Sequence, residues 1–281
     1  MPATTAGRVR EALSAANDAF EAAGVDTPRL DAEVLLAEAT GHDRASLAAE
    51  PDAPVEPRAA RRFGEMVRRR IRREPVAYIL GRRGFRNIEL AVDRRVLIPR
   101  PESELLVEIA VELEPRSALD VGTGSGAIAL AVADELPGCD VVATDTSEEA
   151  LELARENADA LGLADRVAFE LGTVPPERRF DLVLANLPYV REDELASLDP
   201  EITQYEPRQA VVAGADGLEA IAVVAAAASA ALTDRGALAF EVGAGQAGAV
   251  AELLVDLGFM QVEGRQDLAQ VPRVVLGRMS A

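Results

Sequence analysis

The chain has 281 residues, enough for one large or two modest domains, and its balance of 49% hydrophobic and 27% charged residues is that of a globular protein. No stretch approaches the roughly 18 consecutive apolar residues of a membrane span. A single cysteine, Cys139, excludes an internal disulfide and any multi-cysteine metal site, and a single histidine, His42, excludes most histidine-based catalysis and ligation. The net charge is −19 and all 29 basic residues are arginine, so the chain disfavours nucleic acid except where positive charge is clustered. Met-Pro-Ala-Thr-Thr at the start has no basic segment leading into an apolar one, so no signal peptide is visible. A cytoplasmic enzyme without metal or membrane partner is expected.

In chain order, Val9 to Ala23 carries apolar residues at helical spacing. Thr27-Pro28 reads as an N-cap followed by proline at the first helical position, opening a helix Arg29–Thr40 that Gly41 stops. A third helix is expected from about Pro57 to Arg73, so residues 1–75 read as a small all-helical domain. Residues 76–100 read as a hairpin or linker, with Gly81 and Gly84 as turn signals and Ile88, Leu90 and Val92 alternating as a strand. Residues 101–281 form the second domain. From Ser117 onward β-rich runs at Ala118–Val121, Val141–Thr144, Val167–Phe169, Asp181–Ala185, Ala237–Val242, Met260–Glu263 and Arg273–Leu276 suggest seven strands. Helical segments at Ala127–Glu135, Ser147–Leu161 and Leu218–Thr233, with an irregular turn at Pro175–Arg179, separate the first five. Alternation of this kind implies a mostly parallel sheet with helices on both faces. The short connection Gly264 to Pro272 makes the last two strands an antiparallel hairpin at the sheet edge.

Ala118-Leu119-Asp120-Val121-Gly122-Thr123-Gly124-Ser125-Gly126 is a strand entering a glycine loop that opens a helix. Such glycines let the backbone turn tightly and approach a ligand, and the helix N-terminus offers free N–H groups. The spacing is G-x-G-x-G with Asp120 before it, not the G-x-G-x-x-G of dinucleotide sites. Asp145 ends the next strand about 20 residues on, where a carboxylate accepts both hydroxyls of a ribose. Together these point to an adenosyl cofactor.

Asn186-Leu187-Pro188-Tyr189 follows the apolar strand Phe180–Ala185 at its carboxyl end, where ligands of open α/β sheets sit. An amide or exocyclic amine nitrogen is a poor nucleophile because its lone pair is delocalised. An asparagine oxygen and a neighbouring carbonyl can accept its two hydrogens, the proline stiffens the turn, and the tyrosine ring offers a stacking face. No strong base is required, since such a nitrogen becomes acidic only once it has attacked an electrophile; catalysis is positioning and preorganised dipoles.

The loop resembles the S-adenosylmethionine-binding loop of Rossmann-like class I methyltransferases, and Asn-Leu-Pro-Tyr resembles the signature of the Asn-Pro-Pro-Tyr amino-methyltransferases. Glu74-Pro75-Val76-Ala77-Tyr78-Ile79-Leu80-Gly81, Phe85 and Val96-Leu97-Ile98-Pro99-Arg100-Pro101-Glu102-Ser103-Glu104 narrow the likeness. So do Tyr205-Glu206-Pro207, Ala213 to Leu218, and Glu241-Val242-Gly243 with Gln246. From about residue 9 to the end the chain resembles the release-factor glutamine N5-methyltransferase family. That resemblance implies a helical substrate-recognition domain followed by a catalytic domain, S-adenosyl-L-methionine as cofactor, and the Gly-Gly-Gln loop of bacterial class 1 peptide release factors as target. It implies that Gly122, Thr123, Gly124, Ser125, Gly126, Asp145 and Thr173 line the cofactor site, with Asp120 helping to hold the cationic methionine end. Asn186, Leu187, Pro188 and Tyr189 hold the target amide, Asn186 beside the cofactor. Pro99 and Arg100 either wall the pocket or, for Arg100, pair with Glu102 or Glu104. Two departures stand out: Leu187 replaces the family's first proline, and Leu171-Gly172-Thr173-Val174 lacks the Asp usual there.

Rival readings are an N6-adenine methyltransferase acting on RNA or DNA, a glutamine methyltransferase of a ribosomal protein, and a cofactor-binding protein without catalysis. The acidic charge and absence of tryptophan count against the first. The Pro-Arg-Pro-Glu-Ser-Glu spelling counts against the second, and the nearly complete Asn-Leu-Pro-Tyr against the third. Arg58, Arg61, Arg62, Arg68, Arg69, Arg70, Arg72 and Arg73 form an island on the third helix that either docks an acidic surface or RNA, or is a solvated face balanced by neighbouring acids. His42 reads as a capping or surface residue, and Cys139 as a loop residue without a base partner.

Overall fold

The computed structural model describes residues 7–280. Two compact units emerge, one running to Gly81 and including Pro200–Tyr205, the other made of Arg82–Asp199 and the chain from Glu206 onward.

The first unit is helical: α1 (Val9–Ala22), α2 (Pro28–Thr40), α3 (Arg44–Ala49), α4 (Pro57–Ile71) and α5 (Val76–Leu80). Phe20, Leu35, Leu36, Phe63 and Met66 fill its core. Gly41, at φ 76°, ends α2 as its pattern implies. Thr27 does not cap that helix with its side chain; its hydroxyl donates instead to Asp31 Oδ1 at 2.8 Å. The segment expected as hairpin or linker begins with the helical turn α5, closed by left-handed Gly81 at φ 74°.

Part of the arginine island, Arg69, Arg70 and Arg73, is drawn inward. Arg70, buried, donates to Asp31 at 2.7 Å and to Glu201 at 2.6 Å, and Arg73 donates to both oxygens of Glu201 at 2.7 Å. Arg69 forks onto Glu74, and Arg62 pairs with Glu38. Arg58, Arg61, Arg62, Arg68 and Arg72 stay exposed. His42 is exposed after the helix stop.

The second unit opens with the antiparallel hairpin β1 (Arg82–Phe85) and β2 (Ile88–Ala91). Then follow α6 (Glu104–Leu113), β3 (Ser117–Val121), α7 (Ala127–Glu135), β4 (Asp140–Asp145), α8 (Glu148–Leu161), β5 (Val167–Leu171) and β6 (Phe180–Ala185). After α9 (Pro200–Tyr205), which groups with the first unit, come α10 (Glu219–Ala231), β7 (Leu232–Glu241), α11 (Ala247–Asp256), β8 (Gln261–Gln266) and β9 (Pro272–Arg278). The seven strands lie in the order β5-β4-β3-β6-β7-β9-β8. The first five are parallel; β9 runs antiparallel between β7 and β8, so the final hairpin closes one edge. The α/β class and mostly parallel seven-stranded sheet match the expectation.

Alternate strand residues feed opposite cores. Ala118, Leu182 and Leu184 face Leu106 and Leu130 of α6 and α7, while Leu119, Val183 and Phe240 meet Ile221, Val250 and Leu254 of α10 and α11. Helices α6 and α11 were not among the expected elements, although Leu106, Ile109, Ala110 and Val250, Leu254 show the helical spacing that buries them. The helix expected to reach Thr233 stops at Ala231, because Leu232 already pairs with Phe180 in the sheet. Among the described residues no helix is long and apolar enough to cross a membrane.

Candidate functional site

The carboxyl ends of β3, β4 and β6 open onto a cleft of about 480 Å³, within the usual size of a small-molecule site. Its floor is the glycine loop. Gly122 N and Thr123 N both donate to Thr144 O, at 2.8 and 2.9 Å, which pins the loop's start to the end of β4. Gly122 and Gly124 adopt φ of 75° and 54°, in the left-handed region. A Cβ on Gly124 would meet nothing within 4 Å, so the loop presents bare backbone to open space.

Asp145 stands at the rim. Its Oδ2 accepts from Gly124 N and its Oδ1 from Ser147 N, both at 2.9 Å. Each carboxylate oxygen has a second lone pair, so both remain able to accept a ligand hydroxyl.

Asp120 does not line the cleft. It is 1% exposed behind the loop, where Oδ2 accepts from Thr123 Oγ1 at 2.6 Å and from Ala129 N at 3.1 Å. Its Oδ1 is buried without a partner. Burial raises its pKa to about 7 against the lowering effect of those two hydrogen bonds. Gly126 also lies off the cleft; it opens α7 with a φ of 84° and packs on Leu130 and Ala154.

Asn186, Leu187 and Pro188 line the opposite wall. Asn186 Nδ2 donates to Ser103 Oγ at 2.9 Å, and its Oδ1 has no protein partner among the described residues. Ser103 Oγ in turn donates to Glu241 Oε2 at 2.5 Å. Leu187, 7% exposed, reaches back to the glycine loop, so the larger side chain in place of proline is accommodated by packing. The Tyr189 ring sits outside the cleft against Gly243. Its carbonyl accepts from Gln246 Nε2 at 2.9 Å, and Gln246 Oε1 accepts from Gly243 N at 2.8 Å. The Tyr189 ring packs beside Gly243 in the turn after β7. Burial raises the phenol's pKa.

Pro99, Arg100 and Thr173 line the same cleft as Gly122 to Ser125 and Asp145. Arg100 pairs neither with Glu102 nor with Glu104; it donates to Glu206 at 2.7 Å, whose side chain is 1% exposed. Burial raises the Glu206 pKa against that arginine. Cys139, in the turn before β4, is buried, and burial raises its pKa to about 11, which disfavours the thiolate.

Several supporting residues carry no signal that single-residue reading could have assigned. Asn157 on α8 accepts from Ala91 N at 2.7 Å and donates to Ala91 O and Ser125 O, tying the β1–β2 hairpin to the glycine loop. Ser103, Glu206, Glu241 and Gln246 stood inside recognisable motifs, yet only the fold reveals what each one touches.

The PrmC N-terminal domain model matches residues 11–81, and the Methyltransferase small domain model residues 101–204. A release factor glutamine methyltransferase of Cereibacter sphaeroides is 41% identical over 277 residues, 98% of this chain and 99% of its own. The chain belongs to the release factor glutamine methyltransferase family. A second family member, from Xylella fastidiosa, is 43% identical over 261 residues, 89% of this chain and 93% of its own. A methyltransferase of Pyrococcus furiosus, 19% identical with a TM-score of 0.52 over 68% of this chain and 89% of its own, shares the Rossmann-like fold. Membership in the family makes the chain a methyltransferase.

Proposed function

We propose that the chain methylates the side-chain amide nitrogen (N5) of the glutamine in the Gly-Gly-Gln loop of bacterial class 1 release factors, with S-adenosyl-L-methionine as donor. The observation that carries this reading is the orientation of Asn186, which lines the cleft with its nitrogen committed to Ser103 and its oxygen free. An acceptor placed there suits a substrate NH₂ group. The relatives that share nearly the whole chain are named for glutamine methylation of release factors.

The cleft fits the cofactor. The open backbone at Gly124 leaves room for a ligand against the loop, and Asp145 keeps one lone pair on each oxygen for a ribose. When bound, S-adenosyl-L-methionine supplies an electrophilic methyl group on a sulfonium. The chain's own residues do the rest by placement. Asn186 Oδ1 accepts one N–H of the target amide and a backbone carbonyl of the Asn-Leu-Pro-Tyr turn accepts the other, directing the nitrogen lone pair at the methyl carbon. Both acceptors strengthen as the nitrogen gains positive charge, so they stabilise the transition state more than the ground state. The nitrogen then loses its proton to solvent. Gln246 and Gly243 hold the turn rigid from behind.

The test is transfer of labelled methyl to a recombinant release factor, with a glutamine-to-alanine change in its Gly-Gly-Gln loop as control. Label on the intact factor alone is expected. Label on RNA or DNA with none on the factor would replace this reading with that of a nucleic-acid enzyme.

A further inference from the structure

Glu241 is an odd residue for its place. It ends a central strand, is 2% exposed, and among the described residues has no cation within ion-pair distance. Its hydrogen-bond partner is Ser103 Oγ. Holding a carboxylate there is unfavourable for folding, and an apolar side chain would serve the sheet better. Such an arrangement makes sense where the negative end imposes a direction on what it touches.

We propose that Glu241 and Ser103 are positioning residues for methyl transfer: the carboxylate takes the serine hydrogen, which leaves the serine oxygen only able to accept, and so locks the Asn186 amide with its nitrogen inward and its oxygen towards the cleft. The proposal rests on the reading of Asn186 as the holder of the target amide.

The logic is one of donors and acceptors. An ionised carboxylate only accepts, and a serine hydroxyl has a single hydrogen. With that hydrogen spent on Glu241 at 2.5 Å, the lone pairs of Ser103 Oγ face Asn186. The asparagine amide has two planar orientations that exchange oxygen and nitrogen. Only one sets a donor against Ser103; the other opposes two acceptors and turns an NH₂ group to the cleft, where it would meet the NH₂ of the target. The direction thus originates 138 residues from Ser103 in sequence, at the sheet's end.

Protonation reverses the chain. A neutral Glu241 can donate to Ser103 Oγ, which frees the serine hydrogen for Asn186 and permits the wrong amide orientation. Burial raises the Glu241 pKa to about 7. The hydrogen bond from Ser103 opposes that rise, neighbouring Glu102 adds to it, and Arg273 and Arg100 oppose it. Tyr189 is the other titratable group facing it. The rate of methyl transfer is therefore expected to fall as pH drops through neutrality.

The experiment measures single-turnover transfer to the release factor across the neutral range for the full chain, Glu241→Gln, Ser103→Ala and the double variant. A glutamine imposes no direction, and an alanine breaks the chain. Each single variant is expected to lower the rate roughly 10- to 100-fold. Cofactor affinity should stay near that of the parent. The double variant should lose no more than the worse single one, since both changes cut one chain. In Glu241→Gln the acid limb should vanish. Parental rates with an unchanged acid limb in Glu241→Gln would overturn the proposal. If that variant does not fold, Ser103→Ala decides by its rate alone: loss supports the relay, and a parental rate overturns it. Failure of the parent to label the factor would instead remove the functional reading beneath.

Discussion

Gly122 and Leu187 meet where the glycine loop and the Asn-Leu-Pro-Tyr turn approach: a Cβ on Gly122 would lie 3.2 Å from Leu187 Cδ2 and 3.7 Å from Asn186 O. Because Gly122 also sits at φ 75°, a side chain there strains the backbone and pushes the two walls apart together. Gly122→Ala is expected to destabilise the fold by about 1 to 2 kcal/mol through the left-handed conformation alone. It should also weaken cofactor binding at least roughly tenfold, by displacing the loop. Chemical denaturation and calorimetric titration with S-adenosyl-L-methionine check the two effects. Parental affinity in a variant that is destabilised would show that the contact is structural only.

Asp145→Asn tests the rim. Each carboxylate oxygen accepts a backbone N–H, one from the loop at Gly124 and one from Ser147. An amide places an NH₂ group against one of those donors and loses a ribose acceptor at once. The KM for the cofactor is expected to rise roughly 10- to 100-fold, with kcat changed far less, because binding and not chemistry is impaired. A fall in kcat with KM intact would assign Asp145 to the transfer step instead.

Asn186→Ala removes the acceptor itself. The wall keeps Leu187 and Pro188, and the glycine loop is untouched, so cofactor affinity should stay within about threefold of the parent. Methyl transfer should fall by roughly 100- to 1,000-fold, the range seen when one preorganised polar group is deleted from an active site. Single-turnover rates beside binding isotherms separate the two; equal losses in both would mean that Asn186 shapes the cofactor site.

The parts of this site legible in the sequence are those in which neighbours along the chain are neighbours in space. The loop Gly122–Gly126, the carboxylate ending β4 and the turn after β6 each announce themselves within a few residues, since a strand end, a positive-φ glycine and a helix start are local events. What escaped is long-range. Arg100 invited pairing with Glu102 or Glu104 beside it, yet Glu206, 106 residues away, takes it. Asn157 reaches Ala91 across 66 residues. The Tyr189 carbonyl is held by Gln246, from a turn far along the chain. The arginines of α4 split between inside and outside, because Asp31 and Glu201 come from elsewhere in the same unit. Composition marked the island, but only packing decided which members carry free charge.

Asp120 links stability to pH. Its pKa is raised from the ordinary 3.8 to about 7 in the folded chain, chiefly by burial. Below 3.8 both states hold the proton; between 3.8 and about 7 the unfolded chain releases it and the folded chain does not. Stability therefore declines as pH rises through that window, and above it the folded protein carries the full penalty of a buried charge with one unpaired oxygen. Asp120→Asn keeps an acceptor for Thr123 and Ala129 but cannot ionise, so its stability should fall less steeply over the same window and exceed the parent's above neutrality. The loss of a negative charge behind the loop should at the same time weaken binding of the cationic cofactor. Urea midpoints at acid and alkaline pH, with cofactor titrations at the alkaline end, check both. A pH slope identical to the parent's would mean that Asp120 is ionised in both states throughout, and that its burial is offset by the hydrogen bonds from Thr123 and Ala129.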